Sequence, residues 1–325
     1  SRKFSLPVIC FGNITVGGTG KTPHAGYLAA LLGTKYNVAV LSRGYKRKTK
    51  GFRLAGPASE TADIGDEPLL ISRKYPAITV AVDSDRRSGI TRILEEKPGT
   101  DVIILDDGFQ HRRITPGLSV LLSDYNRPMY RDYLLPFGNL RESLKNIKRA
   151  DIIIITKTPA DISPEDQKSI MADLGLTPDT KLFFSSLVYG DPVPLFNGNI
   201  HPDPSFSDPE NGILLVTGIG NPAPLYNHLR KSYKKVIHLC FSDHHYFSPG
   251  DIAKIRNTMN DRKGELKYVI TTEKDAVRLR ELDCIREPLL SSLYYIPVEI
   301  DFLNNRKEEF NKLITDYVGE NLRNN

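Results

Sequence analysis

A doubly wound α/β fold with a mostly parallel sheet, followed by a second, smaller α/β domain, is what this sequence predicts, on three observations. Short β-rich apolar runs recur through the first half with little polar alternation, the pattern of strands covered on both faces. Helix-length segments separate these runs, as parallel strands require. A stretch rich in Pro, Asp, Asn and Gly, "GDPVPLFNGNIHPDPSFSDPENG" (190–212), then breaks the alternation before it resumes, as a connection between domains does.

In order, "PVICFG", "NVAVLS", "AITVAVD", "DVIILDD", "LSVLLSD" and "ADIIIITK" read as buried strands, with helices expected over 21–33, 66–75, 86–97 and 164–174. The first helix has Leu28, Leu31 and Leu32 at core spacing and Pro23 in its first turn, where a missing N–H is harmless. Beyond the connection, "GILLVTGIG", "KVIHLCF", "KYVITTEKD" and "IPVEIDF" read as strands, and a helix closes the chain near 305–319. The expected domains are therefore 1–189 and 190–325, the second including the connecting segment 190–212. A ligand site between them is the expectation.

With 325 residues and 40% hydrophobic content, the chain can bury a large core in two domains. A net charge of +5 is modest and gives no strong case for nucleic acid, but suits an anionic substrate or a membrane surface. Cys10, Cys240 and Cys284 are odd in number and widely spaced, which fits neither a disulfide framework nor a Cys-based metal site and points to a reducing cytosol. No apolar run approaches the ~20 residues of a spanning helix. The basic "RGYKRKTKGFR" (43–53) is the one notable charge cluster.

The chemistry concentrates in "GNITVGGTGKTP". Gly20, Lys21 and Thr22 complete the phosphate-loop pattern G-x-x-x-x-G-K-[ST], although Thr15 stands where its first glycine belongs. Thr15, Val16, Gly17, Gly18, Thr19 and Gly20 lie between a strand and a helix start, where inward N–H groups cradle phosphate. In that setting Lys21 reaches the β- and γ-phosphates of ATP and the Thr22 hydroxyl ligates Mg²⁺. "DVIILDDGFQH" places Asp106 and Asp107 at a strand end, where a second metal-holding carboxylate is needed. These residues define a nucleoside-triphosphate site and leave an enzyme and a nucleotide-driven switch open. Against a switch, Val16 replaces the Lys of one dimerising ATPase class, and "ITKTPAD" lacks a guanine-reading Asp. Asp66, in "IGDEPLLI", reads by itself as a helix N-cap.

The blocks "GNITVGGTGKTP", "LSRGYKR", "GDEPLL", "DDGFQHRR", "LLPFGNLRESL", "FSDHHYF" and "TTEKDAVRL", in that order, resemble the tetraacyldisaccharide 4'-kinase family of lipid A biosynthesis over nearly the whole chain. The resemblance implies transfer of the ATP γ-phosphate to the 4'-hydroxyl of an acylated glucosamine disaccharide 1-phosphate, a lipid A precursor, at the cytoplasmic face of the inner membrane. It implies Asp66 as base paired with His244, rather than the adjacent His245, and Arg141 on the transferring phosphoryl group. It further implies metal or supporting roles for Glu67 and Glu142, and substrate contacts for Arg43, Gln110 and His111. Lys274 and Asp275 belong to the same pattern. Family members carry an apolar membrane-seating segment before the first strand. This chain opens on "SRKFSLPVICFG" without it, so an N-terminal portion is expected to have been removed and membrane attachment to be weaker.

Overall fold

Strand β1 (Val8–Gly12) shows why the runs lack alternation: Ile9 and Phe11 enter one core, Val8 and Cys10 the opposite one. A strand that is apolar on both faces belongs inside a sheet with helices on each side. The computed structural model describes residues 2–111, 113–177, 180–196 and 208–323.

After β1 come α1 (Lys21–Gly33), β2 (Val38–Ser42), β3 (Arg53–Leu54), α2 (Thr61–Ile64), α3 (Asp66–Lys74), β4 (Thr79–Val82) and α4 (Arg86–Glu96). The chain continues through β5 (Val102–Leu105), β6 (Leu118–Asp124), β7 (Ile152–Thr156), α5 (Pro164–Asp173) and β8 (Lys181–Tyr189). Then follow β9 (Val193–Pro194), β10 (Gly212–Thr217), α6 (Ala223–Ser232), β11 (Val236–Cys240), α7 (Pro249–Asp261), β12 (Leu266–Thr272), α8 (Glu273–Leu279), α9 (Leu289–Ser292) and β13 (Leu293–Ile296). Strand β14 (Val298–Phe302) and α10 (Lys307–Arg323) end the chain.

The larger sheet has the order β14-β8-β7-β6-β1-β5-β2-β4-β3. Strand β1 pairs in parallel with both β5 and β6, so the loop leaving it emerges at the carboxyl edge, where such sheets bind ligands. Helices start where caps allow: the Asp85 side chain accepts from Arg87 N and Ser88 N ahead of α4, and Ser163 accepts from Asp166 N ahead of α5. The smaller sheet, β11-β10-β12-β13-β9, is parallel except for β9 against β13.

The two compact units are residues 1–188 with 299–325, and residues 189–298. The expected second domain, 190–325, therefore gives up its end to the first unit. The reason lies in α10, whose buried stripe Phe310, Ile314 and Val318 enters the same core as Ile9, Phe11 and Leu28. Phe310 stacks on Phe302 with centroids 4.3 Å apart and meets Phe183 edge-on at 5.3 Å, while Tyr27 of α1 donates to Asn311 Oδ1 at 2.6 Å. Of the expected connection 190–212, residues 197–207 lie outside the described residues, and Val193–Pro194 form β9. Among the described residues, no helix is long and apolar enough to cross a membrane.

Candidate active site

The glycine loop turns at Gly17 (φ +100°) and Gly20 (φ +83°), left-handed conformations that favour glycine. Gly20 stands at the N-cap of α1 and supplies no side-chain cap, so first-turn N–H groups are available to an anion. Thr15 is buried and bridges to Leu140, and the Val16 N–H donates to Asn139 O at 2.7 Å. Thr19 N donates to Gly17 O at 3.0 Å, and the buried Thr19 Oγ1 has no partner among the described residues. Lys21 Nζ donates to Asn13 Oδ1 at 3.3 Å and lies 3.6 Å from Asp107 Oδ1. Thr22 follows it, partly exposed.

Asp106 and Asp107 leave the carboxyl end of β5, next to β1, and differ sharply. Asp107 (φ +55°) lies between Lys21 and Arg141, whose NH1 is 3.8 Å from its Oδ2. Asp106 is only 2% exposed, and its Oδ1 has no hydrogen-bond partner among the described residues. Burial first, then the charges of Glu67 and Asp107, push its carboxyl up to about 7. An unpartnered buried oxygen beside two further carboxylates suits a cation. Among the described residues no three His, Cys, Asp or Glu side chains form a metal cage, which accords with an ion held mainly by phosphates and one or two carboxylates.

Arg141 NH1 also donates to Gln110 Oε1 at 3.2 Å. His111 follows Gln110 and is held below the usual imidazole range by burial and then by Arg86. Both line a cavity of about 480 Å³ with Arg86, Arg87 and Arg113. Glu142 is redirected: its Oε2 accepts from Arg149 NH2 at 2.8 Å and Asn146 Nδ2 at 2.9 Å. Its charge is answered there by Arg149.

Gly65, in the "GDEP" block, caps α3 at φ +89°, and a Cβ there would lie 2.8 Å from Tyr45 O. Asp66 is thus the first helical residue rather than the N-cap; it is 5% exposed, and its Oδ1 accepts from Glu67 N at 2.9 Å. The basic loop 43–53 rests on the same corner, with Lys48 N donating to Ala62 O at 2.8 Å and Thr49 Oγ1 to Asp63 O at 2.5 Å. Arg43 is exposed there, and its charge reaches His111.

In the smaller unit the adjacent histidines part company. His245 Nε2 meets Asp251 Oδ2 at 3.0 Å, and its ring stacks on Phe241 with centroids 4.7 Å apart, which is a packing role. His244 adopts φ +57°, a strained backbone of the kind that gathers at functional sites. Its N–H donates to Gly218 O at 2.9 Å, and Lys274 Nζ lies 3.3 Å from its Nε2. Fully buried Asp275 accepts from Gly218 N at 3.0 Å and Thr272 Oγ1 at 2.7 Å and pairs with Arg278. The turn at Gly218 is thereby braced under His244.

Sequence reasoning missed the groups that hold the glycine loop from behind. Lys157 Nζ donates to Gly18 O at 2.5 Å and to Asp124 Oδ2 at 2.6 Å, and Thr156 Oγ1 donates to Thr19 O at 2.9 Å. Burial lowers His24 to about 4, so it is neutral. Its Nδ1 is 2.7 Å from Gly20 O, so that nitrogen carries the proton, and its Nε2 accepts from Ser185 Oγ at 2.9 Å. The only signal in the sequence was position, directly after the loop and at the end of a strand.

A parallel sheet, a glycine loop running into an uncapped helix and a carboxylate pair on the neighbouring strand define a P-loop NTPase-like protein. Comparison with known proteins then fixes the particular branch. The family model for Tetraacyldisaccharide-1-P 4'-kinase matches residues 1–318, and the chain belongs to that family. A protein of Bacteroides thetaiotaomicron named tetraacyldisaccharide 4'-kinase is 46% identical over 332 residues, covering 100% of this chain and 87% of its own length. A protein of the same name from Phocaeicola vulgatus is 46% identical over 99% of this chain and 89% of its own. A crystal structure of LpxK from Aquifex aeolicus in complex with ATP superposes with a TM-score of 0.73 at 28% identity, over 98% of this chain and 90% of that one.

Proposed function

We propose that this chain transfers the γ-phosphate of ATP to the 4'-hydroxyl of a tetraacylated glucosamine disaccharide 1-phosphate, working at the cytoplasmic surface of a membrane. The carrying observation is that family membership extends over residues 1–318, so the phosphate loop and every other block of the pattern lie within the match. ATP as donor is supported by the ATP-bound Aquifex aeolicus relative.

Residues 15–22 receive the triphosphate: the backbone N–H groups and the α1 terminus meet its oxygens, and Lys21 neutralises charge on the β- and γ-phosphates. Mg²⁺ would be held by Thr22 and Asp106, with Asp107 and Glu67 alongside; when bound, it supplies charge neutralisation between the phosphates. Asp106 is the better ligand because Asp107 is already answered by Lys21 and Arg141. Arg141 stabilises charge on the transferring group. Asp66 accepts the proton of the acceptor hydroxyl as its oxygen bonds to the γ-phosphorus and ADP leaves, and the family pattern pairs Asp66 with His244. Arg43, Gln110 and His111 bind the sugar phosphate.

The test is transfer of ³²P from labelled ATP, with Mg²⁺, to the tetraacylated disaccharide 1-phosphate in detergent micelles, resolved by thin-layer chromatography. A labelled lipid that disappears in Lys21→Ala is the expected result. Free phosphate without labelled lipid, from folded protein, would overturn the proposal.

A further inference from the structure

A run of large apolar side chains stands in water beside the phosphate loop. Tyr133, Leu134, Leu135 and Phe137 are 73, 49, 54 and 90% exposed. Scattered exposed apolar residues are ordinary, but four within five positions mark a contact surface. The segment is not slack. Asp132 Oδ1 accepts from Tyr133 N at 2.8 Å and Asn139 N at 2.9 Å. Leu140 N donates to Tyr133 O, and Leu135 N to Leu140 O, both at 2.9 Å, while Phe137 N donates to Leu134 O at 3.0 Å. Leu140 is buried in the core and anchors the base of the turn. The backbone thus holds the apolar tip outward instead of letting it fold back.

The base of this turn is joined to the phosphate loop itself. Val16 N donates to Asn139 O and Arg141 N to Ile14 O, each at 2.7 Å. Wherever the tip sits, the loop that would hold the triphosphate is placed with it.

The charge around the tip identifies the partner. Between residues 127 and 148 the bases Arg127, Lys145 and Lys148 are exposed, as is Arg131, 3.9 Å from Asp173, while Arg141 is turned to Asp107 and Gln110. The acids of that stretch are Asp132, engaged by the turn's own amides, and Glu142, engaged by Arg149. A rigid apolar tip among cations matches an anionic bilayer, with side chains among the acyl chains and bases at the head groups. We propose that residues 133–137 insert into the surface of an anionic membrane and so set the phosphate loop at head-group depth. The inference rests on the lipid-kinase reading, because a substrate with four acyl chains stays in the bilayer and its sugar must be phosphorylated there.

The chain contains no Trp, so Phe137→Trp gives a single tryptophan at the tip, read with excitation beyond the tyrosine band. With vesicles of phosphatidylglycerol and phosphatidylcholine, its emission should shift to the blue, lose quenching by iodide and gain quenching by acyl-brominated lipid. Leu134→Ser with Phe137→Ser should weaken vesicle partition at least about tenfold at unchanged Tm. Emission and iodide quenching unmoved by saturating vesicles would overturn the proposal, even if the protein bound vesicles elsewhere. So would a blue shift without lipid that grows with protein concentration, because a second copy would then cover the tip. The ³²P assay in detergent keeps the two readings apart. Transfer by Phe137→Trp without insertion removes only the membrane tip, whereas insertion without transfer by the unaltered chain removes the kinase reading.

Discussion

His24 and Asp106 are both buried, and they respond to pH in opposite directions. His24 falls from 6.5 to about 4 on burial, so between those values the unfolded chain binds more protons than the folded one. Its contribution is fully present above the unfolded value and is lost as pH falls from about 6.5 toward 4, by about 3 kcal/mol in all. Asp106 rises from 3.8 to about 7, so the folded chain binds the extra proton and stability falls as pH rises through that window. The difference between the unaltered chain and His24→Gln isolates the first effect: in urea unfolding from pH 7 to pH 4.5, the variant should lose less stability. A parallel loss in both would show that His24 titrates normally. Asp106→Asn removes the buried charge, and without Mg²⁺ at pH 8 it should raise stability by about 1–3 kcal/mol while abolishing turnover; an unchanged or lower Tm would contradict the unpartnered environment of Asp106. Lys21→Ala and Asp66→Ala should each abolish turnover, but only Lys21→Ala should weaken ATP binding markedly. Equal loss of ATP affinity in both, measured by calorimetry, would contradict an acceptor-side role for Asp66.

At the scale of elements, the site depends on how closely β1 approaches the segment after β5. A Cβ on Gly12 would overlap the Phe109 side chain and lie 2.8 Å from the Phe109 N, so neither backbone can give way cheaply. Gly12→Ala is expected to cost about 2–3 kcal/mol and to lower ATP affinity, since Gly12 leads into the phosphate loop; a silent substitution by both readouts would mean that this approach is not needed. The loop is further gripped by β7, through Thr156 and Lys157, and by β8, through Ser185 and His24. Strand β8 escapes a reading of apolar runs because "KLFFSSLVY" carries Ser185 at its centre. That serine is fully buried and hydrogen-bonded to a histidine far along the chain, a satisfaction that no local pattern reveals.

For the whole molecule, the first unit is completed by the last residues of the chain. Phe310 is 1% exposed and packs among Tyr27, Phe183 and Phe302. Phe310→Ala should therefore cost about 3–5 kcal/mol and destabilise the nucleotide-binding unit rather than residues 189–298. Hydrogen exchange reads this directly: faster exchange at β1 and β6 is expected, and faster exchange confined to β10 and β12 would assign the C-terminal helix to the other unit.

The sequence by itself determined the inner strands of the first sheet, the helix starts and the phosphate loop, because each rests on short-range rules: apolar runs, caps and glycines at positive φ. It also carried the family blocks, whose order survives without any fold. Tertiary structure decided what local pattern leaves equal. Local pattern does not separate His244 from His245, which only the family blocks distinguish, yet one is turned by its backbone and the other is held by Asp251 and Phe241. Asp106 and Asp107 are likewise adjacent, and only burial separates an unpartnered carboxylate from one answered by Lys21 and Arg141. The apolar stripe of α10 announces a helix but not its sheet. Which face it covers is settled by the free energy of burying that stripe against Phe183, more than a hundred positions away in the chain.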